Sequence, residues 1–552
     1  MNNAPSIVDD PIRLEILRSR LMSLTAEAET ALLKASFSTI ISLSQDFTVE
    51  AHDARGYGLA HSRRSVSEFS AILPITMRHF LAKYPAETLE PGDVLVTNDP
   101  WQCAGHLGDF TIALPVFHRG GLVAFMSSMA HHSDVGGTMD DTGARDVFEE
   151  GLWIPITKLY RAGKPNEDVF DIIRANVRTP DKVTGDLHAQ IAACQVGARQ
   201  LRILMDEFGL EEYDTLAQAL YDRAKQAMET AIAALPDGDY PYAVDLDGVE
   251  NEPLHIEVVV AVRGSTIHVD YAGTSPQVPA GINSAWNFTF AETVNAIKSV
   301  LIPEIPSTEG CFAPITVSAP EASILNARPP APVKGRTRTG FHIPSAIFGA
   351  LAGAVPDKVQ TPSGLGNIIA VNGEDATGTR FNAHYLIGAG LGARATLDGV
   401  NTLKFPTSSA NVPIETFETQ TPLVIERKEF VPDSGGLGKF RGGVGQRVVF
   451  RLPADFEGAA TLSIRPQMIA AGAQGLAGGC PGHKTQMFLN GTLLSRTSEV
   501  VRRGSVRLEP GDQLMTIEAG GGGFGPPEER DPALIAADVA GGYVSAPSVA
   551  RS

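Results

Sequence analysis

The chain has 552 residues, 43% hydrophobic and 20% charged, a globular composition that excludes a disordered or fibrous protein. Its 63 acidic residues outnumber 45 basic ones, for a net charge of −18, which excludes the basic footprint that a nucleic-acid partner needs. At this length about two to four domains are expected.

The termini and cysteines narrow the setting. No run of roughly 18 apolar residues suggests a membrane span. Met1 to Asp10 is polar, unlike a signal peptide. Cys103, Cys194, Cys311 and Cys480 form no CxxC pair. Neither a disulfide framework nor a zinc ribbon is expected, and a reducing cytoplasm fits best.

In chain order, helix comes first. Asp10-Pro11 is a cap followed by proline at the first helical position, and Leu14, Leu17, Leu21 and Leu24 repeat at helical spacing up to Leu33. Two short strands follow around the turn Asp53 to Gly56, then a helical pattern from Ser67 to Tyr84 and a strand from Val94 to Thr97. Gly108 to Ala130 predicts a hairpin that turns at His118-Arg119-Gly120-Gly121. After a loop-rich stretch come two helices, with Leu187, Ile191, Cys194 and Leu201 on one face and Leu216, Leu220, Met228 and Ile232 on the other's.

Leu235-Pro236-Asp237-Gly238 is a turn and a candidate boundary. Beyond it, His255 to Val262 and Thr266 to Tyr271 bracket a hairpin turn, and helical patterns recur at Ala291 to Leu301 and Ser345 to Ala354. From Ile414 onward the pattern is strand and loop, ending in a short helix capped by Asp531-Pro532. The glycine clusters at Gly435 to Gly445 and Gly520 to Gly525 predict tight turns between strands. The fold class expected is multidomain α+β, divided at 1–235, 236–413 and 414–552. Helices and hairpins fill the N-terminal half, and a β-rich, glycine-rich part closes the chain.

Histidine and aspartate concentrate in one segment: Asn98-Asp99-Pro100, then His106-Leu107-Gly108-Asp109, then His131-His132-Ser133-Asp134. The hairpin between these pieces allows a register test. A two-residue loop at Arg119-Gly120 pairs residues whose numbers sum to 239; a loop that includes Gly121 gives 240. Asp109 then faces residue 130 or 131, so His131 comes beside it, and His106 can fold over the same spot. His132 points to the opposite face and is left as a proton carrier. Two imidazoles and a carboxylate suit Zn²⁺ in an open tetrahedral site, or Mn²⁺ or Fe²⁺ in a facial triad. Such an ion would lower the pKa of water or polarise a carbonyl. Cys103 is near enough in sequence to be a soft ligand. Spacing alone leaves metal ligation and hydrogen bonding at a strand end equally open.

Asp46 and Glu150 are candidate acids or bases, with solvated loop carboxylates as the plainer expectation. Asp99, before a proline, would commonly cap a turn, and a functional role is open to it. Lys334-Gly335-Arg336-Thr337-Arg338 is a basic patch in an acidic chain that could meet an anionic substrate group or a partner surface, with a solvated loop as the plainer expectation. No nucleotide-binding motif or G-x-S-x-G elbow occurs.

Ordered matches along almost the whole chain carry a resemblance. They are Asp10-Pro11-Ile12, Asp46-Phe47-Thr48, Asn98-Asp99-Pro100, His106-Leu107-Gly108-Asp109, Ala130 to Gly137, Glu150-Gly151-Leu152, Ala175 to Arg178, Gly281-Ile282-Asn283, Phe440 to Gly443 and Gly520 to Gly525. On these passages the chain resembles the hydantoinase B/oxoprolinase family. The resemblance implies a subunit of an ATP-dependent enzyme that opens a hydantoin, oxoproline or lactam ring. A ketone carboxylase subunit and a non-catalytic scaffold are the alternatives it leaves. It implies that ATP is bound by a hydantoinase A-type partner, which phosphorylates the substrate, and not by this chain. It implies one divalent ion, Zn or Mn and otherwise Fe, on His106, Asp109 and His131. His132, Asp134, Asp46, Glu150 and Asp99 are then the groups expected around the reaction. Many members read Gly-Gly-Thr-His-Leu-Pro-Asp where this chain has Cys103 to Asp109, so Gly108 stands in place of a proline.

Overall fold

The computed structural model describes residues 10–545 apart from 141, 211–212, 249–251, 408 and 496. The polar segment before Asp10 lies outside the described residues. The fold is α+β, with helices packed on several sheets. Among the described residues, no helix is long and apolar enough to cross a membrane.

The first helix, Pro11–Ala35, starts as its sequence dictates: the Asp10 carboxylate accepts the N–H groups of Ile12 and Arg13 at 3.1 and 3.0 Å. These are donors that a helix end otherwise leaves unpaired. Leu14, Leu17, Leu21 and Leu24 are all buried. The helix lies with Pro180–Phe208 over one face of an antiparallel seven-stranded sheet. Its strands are β1 (Phe47–Asp53), β2 (Gly58–His61), β3 (Val94–Thr97), β4 (Asp109–His118), β5 (Gly121–His131), β6 (Thr157–Arg161) and β7 (Lys164–Pro165), in the order β2-β1-β5-β4-β3-β6-β7. Period-two alternation sends Phe47, Val49, Phe110 and Ile112 toward those helices. The opposite face carries Asp46, Thr48, Glu50 and His52 and is covered by helix Phe69–Lys83.

The central hairpin contains both expected registers. Arg119 and Gly120 form the turn with φ of +49° and +89°, the twist that a two-residue hairpin prefers. Next to it His118 pairs with Gly121 and Phe117 with Leu122, a sum of 239. A shift at Val116/Phe117 then inserts one extra residue, and Val116 pairs with Ala124, a sum of 240. This bulge places Asp109 opposite His131.

A second sheet holds β8 (Gly238–Leu246), β9 (Leu254–Arg263) and β10 (Thr266–Asp270) as an antiparallel meander, with β11 (Ile315–Ser318) parallel to β10. Helices Trp286–Leu301 and Ile343–Leu351 pack with it in one core. A third sheet joins Arg380–Ile387, Asn367–Asp375, Gly458–Ser463 and Ser505–Leu508. Position 413, expected as a boundary, falls between strands that pair in this sheet. Ala383, Tyr385 and Ile387 face the sheet's own core, whereas Leu386 packs into the core of the first sheet. Asn382, two strand positions from His384, donates to the Ser133 carbonyl at 3.2 Å. The region after Ile414 is not only strand and loop, because Ile414–Gln420 and Glu499–Arg503 are short helices.

The glycine clusters are not tight turns. Gly520 to Phe524 runs extended through a bundle of other extended segments, before Gly525 turns at φ +73°. Gly520 and Gly523 donate to the carbonyls of His483 and Cys480, and Gly521 and Phe524 to those of Gly443 and Phe440. Donors three residues apart thus reach one neighbour at carbonyls three residues apart. That is the threefold period of a polyproline II chain, which has no internal hydrogen bonds and must pair sideways. A Cβ on Gly520, Gly521, Gly522 or Gly523 would enter the backbone of Ser434, Leu391, Gln474 or Leu437. Only glycine permits chains to lie this close. Glycine's turn preference predicts otherwise, but close backbone approach decides here.

Candidate metal centre

The hairpin bulge and the β1 edge set one row of the first sheet. Asp46, His131 and Asp109 lie side by side: the His131 N–H donates to the Asp46 carbonyl at 3.0 Å, and His131 is the Cα partner of Asp109. His106 reaches the same row from the turn before β4. The His131 Nδ1 is 2.7 Å from Asp109 Oδ1, and the His106 Nε2 is 2.9 Å from Asp109 Oδ2. The three side chains offer ligand atoms that all lie within 4.8 Å of one another. The rings of His106 and His131 stack with centroids 5.2 Å apart. Gly108 makes this possible: a Cβ there would sit 2.7 and 2.8 Å from the Cε1 atoms of the two rings.

The donor set fits a divalent cation. His106 Nε2 is buried and makes no well-angled hydrogen bond despite its closeness to Asp109. Burial pushes the His106 imidazole down to about 3, so it is neutral and free to ligate. Burial alone would raise the Asp109 carboxyl, but His106 and His131 overcome it and hold Asp109 well below the usual carboxylate range. A neutral His106 imidazole beside an ionised carboxylate is the pairing of protonation states that ligation requires.

Two residues that sequence reasoning did not select complete the surroundings. Arg336, 5% exposed, donates from Nη2 to Asp109 Oδ2 at 3.1 Å. Its segment was expected as a solvated loop, but Arg336, Thr337 and Arg338 are all buried. The cause is electrostatic: the carboxylate of Asp109, buried in the first sheet, needs a cation. His384 comes from the third sheet, and its ring meets His131 edge-on at 5.6 Å. Burial, with His131 and Arg465 nearby, pushes its imidazole well below the ordinary range. Both residues line up through pairing across long sequence separations, so no local motif marks them.

A cavity of about 60 Å³ opens on His106 and His131, while Asp109 is fully buried beside them, and it has room for a few water molecules. His106, His131, His132, Asp134, Glu150, Lys334, Asn372, His384 and Arg465 line it. Of the other expected groups, His132 points to the opposite face as the strand period requires. Its ring lies 4.7 Å from that of Phe110, and its Nε2 is 3.0 Å from Gln190 Oε1. The Gln190 amide nitrogen donates to the carbonyls of Phe110 and Ser128, so the His132 Nε2 carries the proton and Nδ1, buried without a partner, keeps the lone pair. Asp134 is engaged as a brace: Oδ1 accepts from Arg178 Nη1 at 2.6 Å and from the Gly136 N–H at 3.1 Å. Glu150 is not a solvated loop carboxylate, because its Oε1 accepts the N–H groups of Val333 and Lys334 at 2.6 and 2.7 Å.

Asp46 stands in the row beside His131 but does not line the cavity, and burial raises its carboxyl. Asp99 caps the turn to Trp101, whose N–H it accepts at 2.9 Å, and does not line the cavity either. Cys103 is held 2.7 Å from Thr111 Oγ1, and burial pushes its thiol up to about 12, so it is no ready thiolate.

Glu68 lies behind this row, 3% exposed, and burial pushes its carboxyl up to about 7. Its folded value is above its unfolded one, so the folded chain binds this proton more tightly. Stability from this group is full below the unfolded carboxyl value near 4.5 and is lost as pH rises through about 7. The stability that Glu68 contributes to wild type should therefore fall between pH 5 and pH 8. Glu68→Gln, which does not titrate, should lose distinctly less. Equal slopes by thermal scanning would refute this account.

Residues 10–527 match the family described as Hydantoinase B/oxoprolinase. The chain belongs to the hydantoinase B/oxoprolinase family. It is 29% identical to the beta chain of the caprolactamase of Pseudomonas jessenii, over 97% of this chain and 94% of that one. It is equally 29% identical to a protein of Pseudomonas sp. (strain NS671) named as the B component of a D-/L-hydantoinase, over 97% and 93%. The 5-oxoprolinase 1 of Arabidopsis thaliana shares 27% identity over 94% of this chain but 42% of its own length. The crystal structure of the ATP-dependent caprolactamase from Pseudomonas jessenii superposes with a TM-score of 0.86 at 26% identity, covering 97% of this chain and 94% of that one.

Proposed function

We propose that this member of the hydantoinase B/oxoprolinase family is the metal-holding subunit of an ATP-dependent cyclic amidase. The observation that carries the reading is the His106–Asp109–His131 cluster, whose ligand atoms converge within 4.8 Å at a water-sized cavity. The names of its relatives support the rest: one is an ATP-dependent caprolactamase and another is named as part of a hydantoinase. The substrate class is a hydantoin, oxoproline or lactam ring. An unstrained amide carbonyl resists attack, and phosphorylation of its oxygen by an A-type partner that binds ATP would activate the carbon: water adds there, the ring C–N bond breaks to leave an acyl phosphate, and a second water releases phosphate. The enzyme is placed in the cytoplasm, where its four free cysteines would stay reduced.

His106, Asp109 and His131 would hold one divalent ion, Zn or Mn and otherwise Fe. Such an ion, when bound, supplies Lewis acidity toward a carbonyl or a water. The protein residues do the rest. Arg336 neutralises the Asp109 carboxylate while no ion is bound. His384, neutral and on the cavity wall, orients a cavity water by hydrogen bonding, and the water's proton passes to the departing ring nitrogen. The His132 Nδ1 lone pair is a further acceptor. Asp134 and Glu150 hold the cavity walls in place through Arg178 and the Val333–Lys334 backbone.

Elemental analysis of the purified chain, and turnover with a co-expressed ATP-binding partner, test the proposal together. About one equivalent of metal per chain is expected, with ring opening of a hydantoin, 5-oxoproline or caprolactam only when ATP is present. A chain that retains no metal after Zn, Mn and Fe are supplied would sink the reading. A bicarbonate-dependent, carboxylated product would make the chain part of a ligase instead.

A further inference from the structure

Arg336 places a fixed cation at the spot where the proposed function puts a metal ion. Its Nη2 bonds the same Asp109 oxygen that lies 2.9 Å from His106. An ion ligated by Asp109 and Arg336 would stand side by side, and like charges in a buried site repel strongly. Yet without a metal, an unpaired Asp109 carboxylate in the interior would be costly.

The structure gives Arg336 somewhere else to go. Its Nε is buried with no partner, and so is Oε1 of Glu292. Glu292 is 2% exposed, on helix Trp286–Leu301. It lies one turn after Phe288, on the same face. The Arg336 guanidinium lies over the Phe288 ring, 4.4 Å from its centroid. A donor and an acceptor therefore stand unpaired within electrostatic reach of each other, and unpaired buried polar groups call for an explanation. The space beside the arginine stem is kept open by Gly105, where a Cβ would lie 2.9 Å from Arg336 Cδ and 3.0 Å from Phe288 Cβ. Burial raises the Glu292 carboxyl well above its ordinary range, so without a metal it does not compete with Asp109 for Arg336.

We propose that Arg336 is a stand-in cation: it neutralises Asp109 in the metal-free chain and moves along the Phe288 ring to Glu292 when a divalent ion takes Asp109. This rests on the metal reading of the site. Arg336 is then a positioning residue for the empty state and a competitor of the metal, not a support for it.

Zn²⁺ affinity, measured by competition with a chromophoric chelator on the full chain, separates the possibilities. Arg336→Gln should bind Zn²⁺ tighter, by about tenfold, and melt lower than wild type when both are metal-free. Glu292→Gln, nearly isosteric, removes the carboxylate charge that draws Arg336 across and should bind Zn²⁺ weaker, by about tenfold; changes behind the ligands act on this scale. Unchanged or weaker binding in Arg336→Gln would overturn the proposal and make Arg336 a simple brace for Asp109. Should that variant not fold, Glu292→Gln decides, because unchanged or tighter binding there overturns the transfer. Failure of wild type to bind Zn²⁺, Mn²⁺ or Fe²⁺ would instead remove the metal reading on which this rests.

Discussion

Replacing His131 by Ala is expected to strip the chain of its metal and to lower ATP-dependent ring hydrolysis by about a thousandfold or more. The magnitude follows from the several kcal/mol that a Lewis-acid ion contributes at a transition state and from about 1.4 kcal/mol per tenfold in rate. The fold should survive, because His131 is the last residue of β5 and its ring is partly exposed. The backbone pairing to Asp46 and Asp109 does not depend on the imidazole. Metal content and melting temperature, measured on the same sample, check the expectation. Full metal retention in His131→Ala would remove the residue from the ligand set. Full activity in a metal-free variant would make the cluster structural. His132→Ala offers the internal comparison: it lies one position on and faces the other way, so metal content should stay near wild type while turnover falls by less.

The second large effect is on stability. Gly521→Ala is expected to prevent folding or to lower the melting temperature severely. The added methyl would be driven into the Leu391 backbone, with Gly392 just beyond it. Backbone cannot rotate aside as a side chain does, so the cost should exceed the ~1–3 kcal/mol typical of an overpacked core. Gly121→Ala is the control. Its Cβ would find only the His118 carbonyl, at 3.9 Å, so a change of about 0.5 kcal/mol or less is expected. Equal melting temperatures for Gly521→Ala and wild type would show that the glycine bundle yields, and would disprove its close packing.

Distance along the chain separates most of what sequence patterns disclosed from what they concealed. Local rules worked where partners are close along the chain. The Asp10 cap, the leucine spacing of the first helix and the hairpin about Arg119–Gly120 all satisfy short-range constraints. So does the pairing of Asp109 with His131, because one hairpin sets it. Arg336 and His384 lie more than two hundred residues from Asp109 and His131 along the chain, and only packing between distant elements brings them to the site. The burial of a basic patch cannot be inferred from its own composition, because the carboxylate that compensates it belongs to another element. Glu150 likewise looked solvated until its backbone partners at Val333 and Lys334 were in place. The glycine clusters mislead for a different reason. Glycine marks both turns and close chain approach, and the two are told apart only by what surrounds it.

The bulge near Phe117 carries a consequence for how such a centre can arise or vanish. Strand side chains alternate with a period of two, so the identity of the residue beside Asp109 is a matter of parity. Had the hairpin kept the register of its turn, Ala130 would sit beside Asp109 and His131 would face the hydrophobic core. One extra residue, about seven positions from the site and touching none of its ligands, decides between the two. Length, rather than side-chain chemistry, is then the inherited quantity that keeps the centre assembled. A one-residue insertion or deletion in β4 or β5 would change its chemistry more abruptly than most substitutions at the centre itself.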